Sequence, residues 1–227
     1  MSLPNLNVKL FSNIVTWAYA DSVDNSLING FVGWGSWNQG TWFSGNEDNL
    51  CGSHACIAGQ AAAQVGMSMQ VENTGSATHC APRVFVGLNG VGQPVYEFVG
   101  EPRLIPDVAR DALGLTEAEA NTLFDGNNGI ERVVFLALLF AAHRGVSLTL
   151  ADDIVALGMS YGAAGAGEDG DRFSEKFYFG YAAGDDYEKT AYAAGLWPRP
   201  VVNCDSCGQV VPDDGLDQWE RAILSGN

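Results

Sequence analysis

The stretch that most restricts this fold runs from Ile130 to Arg144, where ten consecutive apolar residues, Val133 to Ala142, precede His143-Arg144. Asp125-Gly-Asn-Asn-Gly129 reads as the turn leading in, and Gly145 as the stop. A helix that is apolar on every side must be wrapped by other elements. Its apolar run is half of the roughly twenty residues that a bilayer crossing needs, so the wrapping is expected to be protein.

The rest of the chain supplies candidates for that wrapping. Val8, Phe11, Val15 and Tyr19 recur near helical spacing, with Leu10, Ile14 and Trp17 on a flanking face, and predict a first helix over 8–19. Between 29 and 46, glycines alternate with Phe31, Trp34, Trp37, Trp42 and Phe43, which disfavours a long helix and predicts an aromatic-rich loop or short turns. A helix is predicted from the Cys51 region to about Val65, with Ile57, Ala58, Ala61, Ala62 and Val65 on one face. Residues 70–80 are polar and turn-like. Val84, Val86 and Leu88 then alternate up to Asn89-Gly90, and Val95, Tyr96, Phe98 and Val99 follow, the pattern of a β-hairpin over 83–99. Pro106 opens a helix that ends at Leu113-Gly114, and Thr116-Glu-Ala-Glu119 is a capping box for a short helix to Phe124. A further helix is predicted over Ser147 to Leu157, a long surface loop over 158–186, and a closing helix over 216–224.

The fold class expected is therefore mainly α (α+β): a compact helical domain with an inserted β-hairpin near 83–99. A chain of 227 residues fits a single domain over 1–227. A helical core over about 8–157 carries a loop-rich C-terminal extension, 158–227. At this size roughly 70% of the unfolded chain's surface is buried, so no covalent staple is needed.

Charge narrows the partners. Twenty-seven acidic residues against eleven basic ones give a formal net charge of −16. Such a field repels nucleic acid and anionic membrane surfaces and favours a cationic protein partner or solubility alone. A homo-oligomer would instead show as large apolar patches around Trp34, Trp37 or the 173–197 aromatic segment. The acids are scattered in pairs such as Asp152-Asp153 and Asp185-Asp186 rather than in dense runs, which disfavours mimicry of DNA. The N-terminal Met-Ser-Leu-Pro-Asn-Leu-Asn lacks the basic and apolar regions of a secretory leader, and an odd count of five cysteines is unlike a secreted disulfide scaffold. A cytoplasmic location is expected.

Three constellations are candidates for chemistry or binding. Cys51-Gly-Ser-His54-Ala-Cys56 would place a thiol at a helix N-terminus, where the helix dipole and free N–H groups stabilise a thiolate. Cysteine-dependent hydrolysis would use Cys51 or Cys56 with His54 or His79 as base; the structural alternative is a packed helix cysteine. Cys204-Asp-Ser-Cys207-Gly208 has the form of a zinc knuckle, and His79 and Cys80 would complete a Cys₃His set, so zinc is the one cofactor the residues allow. Trp34, Trp37 and Trp42 would either anchor an interaction surface or pack over the core. Gly158-Met-Ser-Tyr-Gly162 matches the nucleophile elbow of α/β-hydrolases, but no histidine follows His143 to serve it.

Four short motifs in order carry a resemblance: Trp37-Asn-Gln39-Gly40-Thr-Trp42, Cys51-Gly-Ser-x-x-Cys56-Ile-Ala-Gly59-x-Ala61, Ala109-Arg-Asp-Ala-Leu113-Gly-Leu-Thr116, and Ala120-x-x-Leu123-Phe124. Over about residues 34–145 the chain resembles small uncharacterised proteins of actinobacteria and their bacteriophages. It differs from them in Gln60, where tryptophan is usual, in the inserted hairpin, and in the C-terminal Cys-x-x-Cys. The resemblance implies a phage or actinobacterial origin and a helical core in which Cys51 and Cys56 pack or pair. No activity comes with it. The expected role is a non-enzymatic phage-type accessory or interaction protein, bound to a host component or to the virion. A cysteine hydrolase and a small zinc-stabilised module are the alternatives.

Overall fold

The structure is a computed structural model, and it describes residues 3–23, 36–40, 43–46, 49–72, 76–165, 187, 190–191, 193–196, 201–203 and 210–212. Within β1 to β3 and the C-terminal strands below, the description of most side chains stops at the backbone. Among the described residues six α-helices form the body: α1 (Val8–Val23), α2 (Ile57–Gln64), α3 (Ile105–Leu113), α4 (Glu117–Leu123), α5 (Ile130–His143) and α6 (Asp152–Gly165). The expectation of a mainly helical domain with an inserted hairpin holds.

The apolar run is the centre of the packing. Residues Val133 to Ala137, Leu139 and Phe140 of α5 are buried, and α1, α4 and α6 pack around that helix. α1 also meets α2, which packs on α3. Asn7 caps α1 by accepting from the Leu10 N–H at 3.2 Å, and its own N–H donates to the Leu113 carbonyl at 2.9 Å. Gly114 closes α3 in the left-handed region at φ 71°, and a Cβ there would clash with the Asn5 carbonyl oxygen. Only glycine lets the N-terminal segment lie across that helix end.

Helix boundaries differ from expectation at three places, the first being α1, which runs four residues beyond the expected end at Tyr19, to Val23. Cys51 is not helical: it lies in a strand, β3 (Asn49–Ala55), paired antiparallel with β2 (Phe43–Asn46) and parallel with β1 (Ser36–Trp37). The helix begins six residues later, at Ile57, because pairing with distant strands outweighs the local pattern. The helix expected over Ser147 to Leu157 is likewise shifted. It starts at Asp152 rather than Ser147 and continues through Gly158 and Gly162 to Gly165, into the segment expected to be loop. A Cβ on Gly158 would lie 2.9 Å from both Leu138 Cδ1 and Val134 Cγ1, and 3.2 Å from the Phe135 backbone nitrogen. The glycine is a contact point between α6 and α5, and close packing there offsets its poor helix propensity. The expected closing helix over 216–224 lies outside the described residues.

The inserted sheet joins β4 (Met67–Met69), β5 (His79–Leu88), β6 (Pro94–Phe98) and β7 (Arg103–Leu104), all antiparallel to β5. Its base is in the core: Met69, Cys80 and Ala81 are buried. β4 ends its pairing at Pro82 and β7 at Cys80, so from Arg83 onward β5 is paired with β6 alone. A further pair, β8 (Val201–Asn203) with β9 (Val210–Pro212), is antiparallel. Among the described residues no helix is long and apolar enough to cross a membrane.

Candidate functional site

The cysteine segment divides in two. Cys51 and His54 lie in β3, with side chains outside the described residues. Cys56 is the N-cap of α2, and its Sγ accepts from the Gly59 N–H at 3.4 Å. The side chain is fully buried, and burial pushes the thiol up to about 11 against the backbone N–H groups, which favour the thiolate. At neutral pH this sulfur is a protonated, enclosed cap. The geometry expected of a nucleophile at a helix N-terminus is present, but the desolvation works in the opposite direction.

The knuckle residues Cys204 and Cys207 lie outside the described residues. His79 is exposed, its Nδ1 2.9 Å from Thr78 Oγ, while the next residue, Cys80, is buried. Adjacent strand residues leave on opposite faces, as these two do. Burial raises the Cys80 thiol, partly offset by the Arg103 charge. Among the described residues no group of three or more His, Cys, Asp or Glu side chains is placed to hold a metal. Trp34 and Trp42 lie outside the described residues, and Trp37 is described only as backbone in β1, opposite Ala55. Ser160 sits in the middle of α6, not on a strand-to-helix elbow.

The motif residues that are described act as braces. Gln39, buried, donates from Nε2 to the Leu123 carbonyl at 2.8 Å and accepts from the Ile57 N–H at 3.3 Å. One amide thus ties the C-terminal end of α4 to the first turn of α2, satisfying groups that helix ends leave open. Gly126 approaches Gly40 so closely that a Cβ on it would sit 3.3 Å from the Gly40 Cα.

A buried polar cluster has no counterpart in the expectations. Glu119 closes the capping box with Thr116, whose N–H and hydroxyl donate to Oε2 at 2.8 and 3.0 Å. The same carboxylate takes a bidentate pair from Arg144, both contacts at 2.6 Å, and the Tyr187 hydroxyl at 2.6 Å. Arg144 spends its other donors on the carbonyls of Pro4, Phe140 and Gly114. Tyr187 stacks on His143 at 4.1 Å, and His143 Nδ1 lies 3.0 Å from Thr190 Oγ. Burial alone would raise the Glu119 carboxyl; the Arg144 and Tyr187 hydrogen bonds outweigh it and hold the group below its usual range. Burial and the bond to Glu119 raise the Tyr187 phenol. Five donors meet a carboxylate with about four lone-pair sites, so nothing remains to accept a substrate proton. This cluster locks the N-terminal segment, α4, α5 and the region of Tyr187 together.

Among the described residues, the feature open to another molecule is the arm formed by β5 and β6 beyond Pro82. Cross-strand pairs place Arg83, Phe85, Leu88, Pro94, Tyr96 and Phe98 on one face, a bulge between Phe85 and Gly87 keeping Leu88 on that side. Phe85 and Tyr96 meet edge to face at 5.9 Å, and the Arg83 guanidinium stands 4.7 Å over the Tyr96 ring. Val84 and Glu97 share the other face. The tip is a five-residue loop that opens with the expected Asn89-Gly90: the Asn89 N–H donates to the Gln93 carbonyl, and its Oδ1 accepts from the Val91 and Gln93 N–H groups. Phe85 is 58%, Leu88 66%, Val91 79% and Tyr96 46% exposed. Alternation made the hairpin visible in the sequence, but exposure of both its faces was not, because a period of two predicts one buried face.

Comparison with protein-family models, with curated proteins and with solved structures finds no match.

Proposed function

We propose that this chain is a non-enzymatic interaction protein whose β5–β6 arm docks a protein partner. One observation carries the reading: among the described residues, eight of the fourteen exposed large apolar side chains lie within residues 84–99, on both faces of one hairpin. The other six, Leu3, Val65, Val71, Leu104, Val146 and Met159, are scattered. A concentration of this kind, on an arm anchored at its base in the core, is the property of a binding element. The tryptophans Trp34, Trp37 and Trp42 are not needed for it. The saturated Glu119 carboxylate and the enclosed Cys56 thiol support a binding role over a catalytic one. The resemblance to proteins of actinobacteria and their phages suits an accessory role, on a host component or as a minor part of a virion.

The test is site-specific photocrosslinking in cells that make the protein, with a benzophenone side chain at Phe85 and a control at Asn121, exposed on α4. Discrete protein adducts from position 85 and none from 121 are the expected result. Identical patterns from both positions, or no adduct at 85, would remove the arm as a docking element.

A further inference from the structure

The arm offers a partner more than apolar side chains, because its outer strand is an open edge. The phase of the hairpin is set by the Val99 N–H donating to the Pro82 carbonyl at 2.8 Å and the Asn89 N–H donating to the Gln93 carbonyl at 2.8 Å. Bonded and non-bonded pairs alternate along an antiparallel ladder. Residues 93, 95, 97 and 99 therefore face β5, and Tyr96 and Phe98 turn their N–H and C=O groups outward. Among the described residues β6 has no other neighbour on that side. An edge with two aromatic residues, whose one proline, Pro94, is confined to the first position of the strand, is a template for an added strand over Val95 to Val99.

Charge selects the occupant. A strand laid along β6 sets alternate residues beside Tyr96 and Phe98 on the aromatic face, and the residues between them beside Glu97 on the other. Glu97 is exposed and Glu101 follows beyond the strand, on a chain of net charge −16. A second copy would bring the same charge to meet it, and anionic lipid would be repelled likewise. Resting on the docking reading above, we infer that β6 takes an extended segment of a partner protein as an added strand, with apolar residues alternating with lysine or arginine. The apolar side chains extend the Tyr96–Phe98 face, and the cations pair with Glu97.

The full-length chain, titrated with an end-capped peptide alternating lysine and valine and with its glutamate–valine counterpart, tests this by amide exchange. The lysine peptide should slow exchange at Tyr96 and Phe98 about tenfold, and the glutamate peptide should leave it unchanged. Tyr96→Pro removes an outward N–H without touching a hairpin bond and should abolish binding, whereas Tyr96→Ala keeps that N–H and should retain it. Persistent protection of the Val99 amide shows that the hairpin is intact in both. Glu97→Lys should weaken the lysine peptide about threefold and admit the glutamate one. Equal response to both peptides, or equal binding by Tyr96→Pro and Tyr96→Ala, would overturn the edge-pairing inference. So would β6 protection that grows with protein concentration alone, or that needs phosphatidylcholine vesicles. Any of these together with retained crosslinking from position 85 leaves the arm as a docking element and removes only its mode.

Discussion

The Glu119 cluster and the β5–β6 arm are opposite solutions to the same accounting. In the cluster, two buried charges are matched donor for acceptor: Arg144 places all its N–H groups and Glu119 is fully subscribed. In the arm, large apolar side chains face solvent and backbone groups of β6 have no protein partner among the described residues. The first region holds the molecule together and has no capacity left for chemistry. The second contributes little to the fold and has its capacity unspent. Completeness marks a structural site, and incompleteness with a rigid base marks a binding one.

The sharpest way to break this comparison is Glu119→Ala, which leaves the Arg144 guanidinium buried without its counter-charge. A loss of about 3–5 kcal/mol is expected in chemical denaturation; a loss no larger than that of an arm variant would erase the distinction. Tyr187→Phe removes one charge-assisted hydrogen bond from the same carboxylate and should cost about 1.5–3 kcal/mol. Gly158→Val drives a side chain into Leu138, Val134 and the α5 backbone, and a melting experiment should register about 1–3 kcal/mol. Acid probes the cluster more gently. The Glu119 carboxyl titrates below its ordinary 4.5 in the folded chain, so its contribution is complete above that pH and is lost as pH falls through the folded value. Stability followed downward from pH 5 should fall less steeply in Glu119→Gln than in the parent. At the small end, Phe85→Ser should change stability by less than about 1 kcal/mol while lowering the binding of a hydrophobic dye. A larger loss would make the arm part of the core.

Elements whose hydrogen bonds and periodicity close within a few neighbouring residues were legible beforehand. The α5 run declares its burial by having no polar face, Thr116 and Glu119 cap their helix across three positions, and Gly114 and Gly145 stop theirs. The hairpin was legible for the same reason, down to its two strands, although Asn89 closes a longer loop than its dipeptide with Gly90 suggests. The candidate site was legible only as a hairpin and not as a surface.

What remained hidden depends on distant segments meeting. Whether Cys51 sits in a helix or a strand is settled by β1 and β2, which lie at least five residues away. Glu119 looks like an ordinary cap until Arg144, 25 residues on, and Tyr187, 68 residues on, arrive at the same carboxylate. Gly158 reads as a helix breaker until α5 comes close enough to require it. Sequence therefore determined the helical core, the hairpin, the Thr116 cap and the glycine stops at Gly114 and Gly145, because those rest on local hydrogen bonding and on the burial of one face. Tertiary structure alone decided which buried charges are paired and which apolar face is left bare, because both depend on what the fold brings alongside.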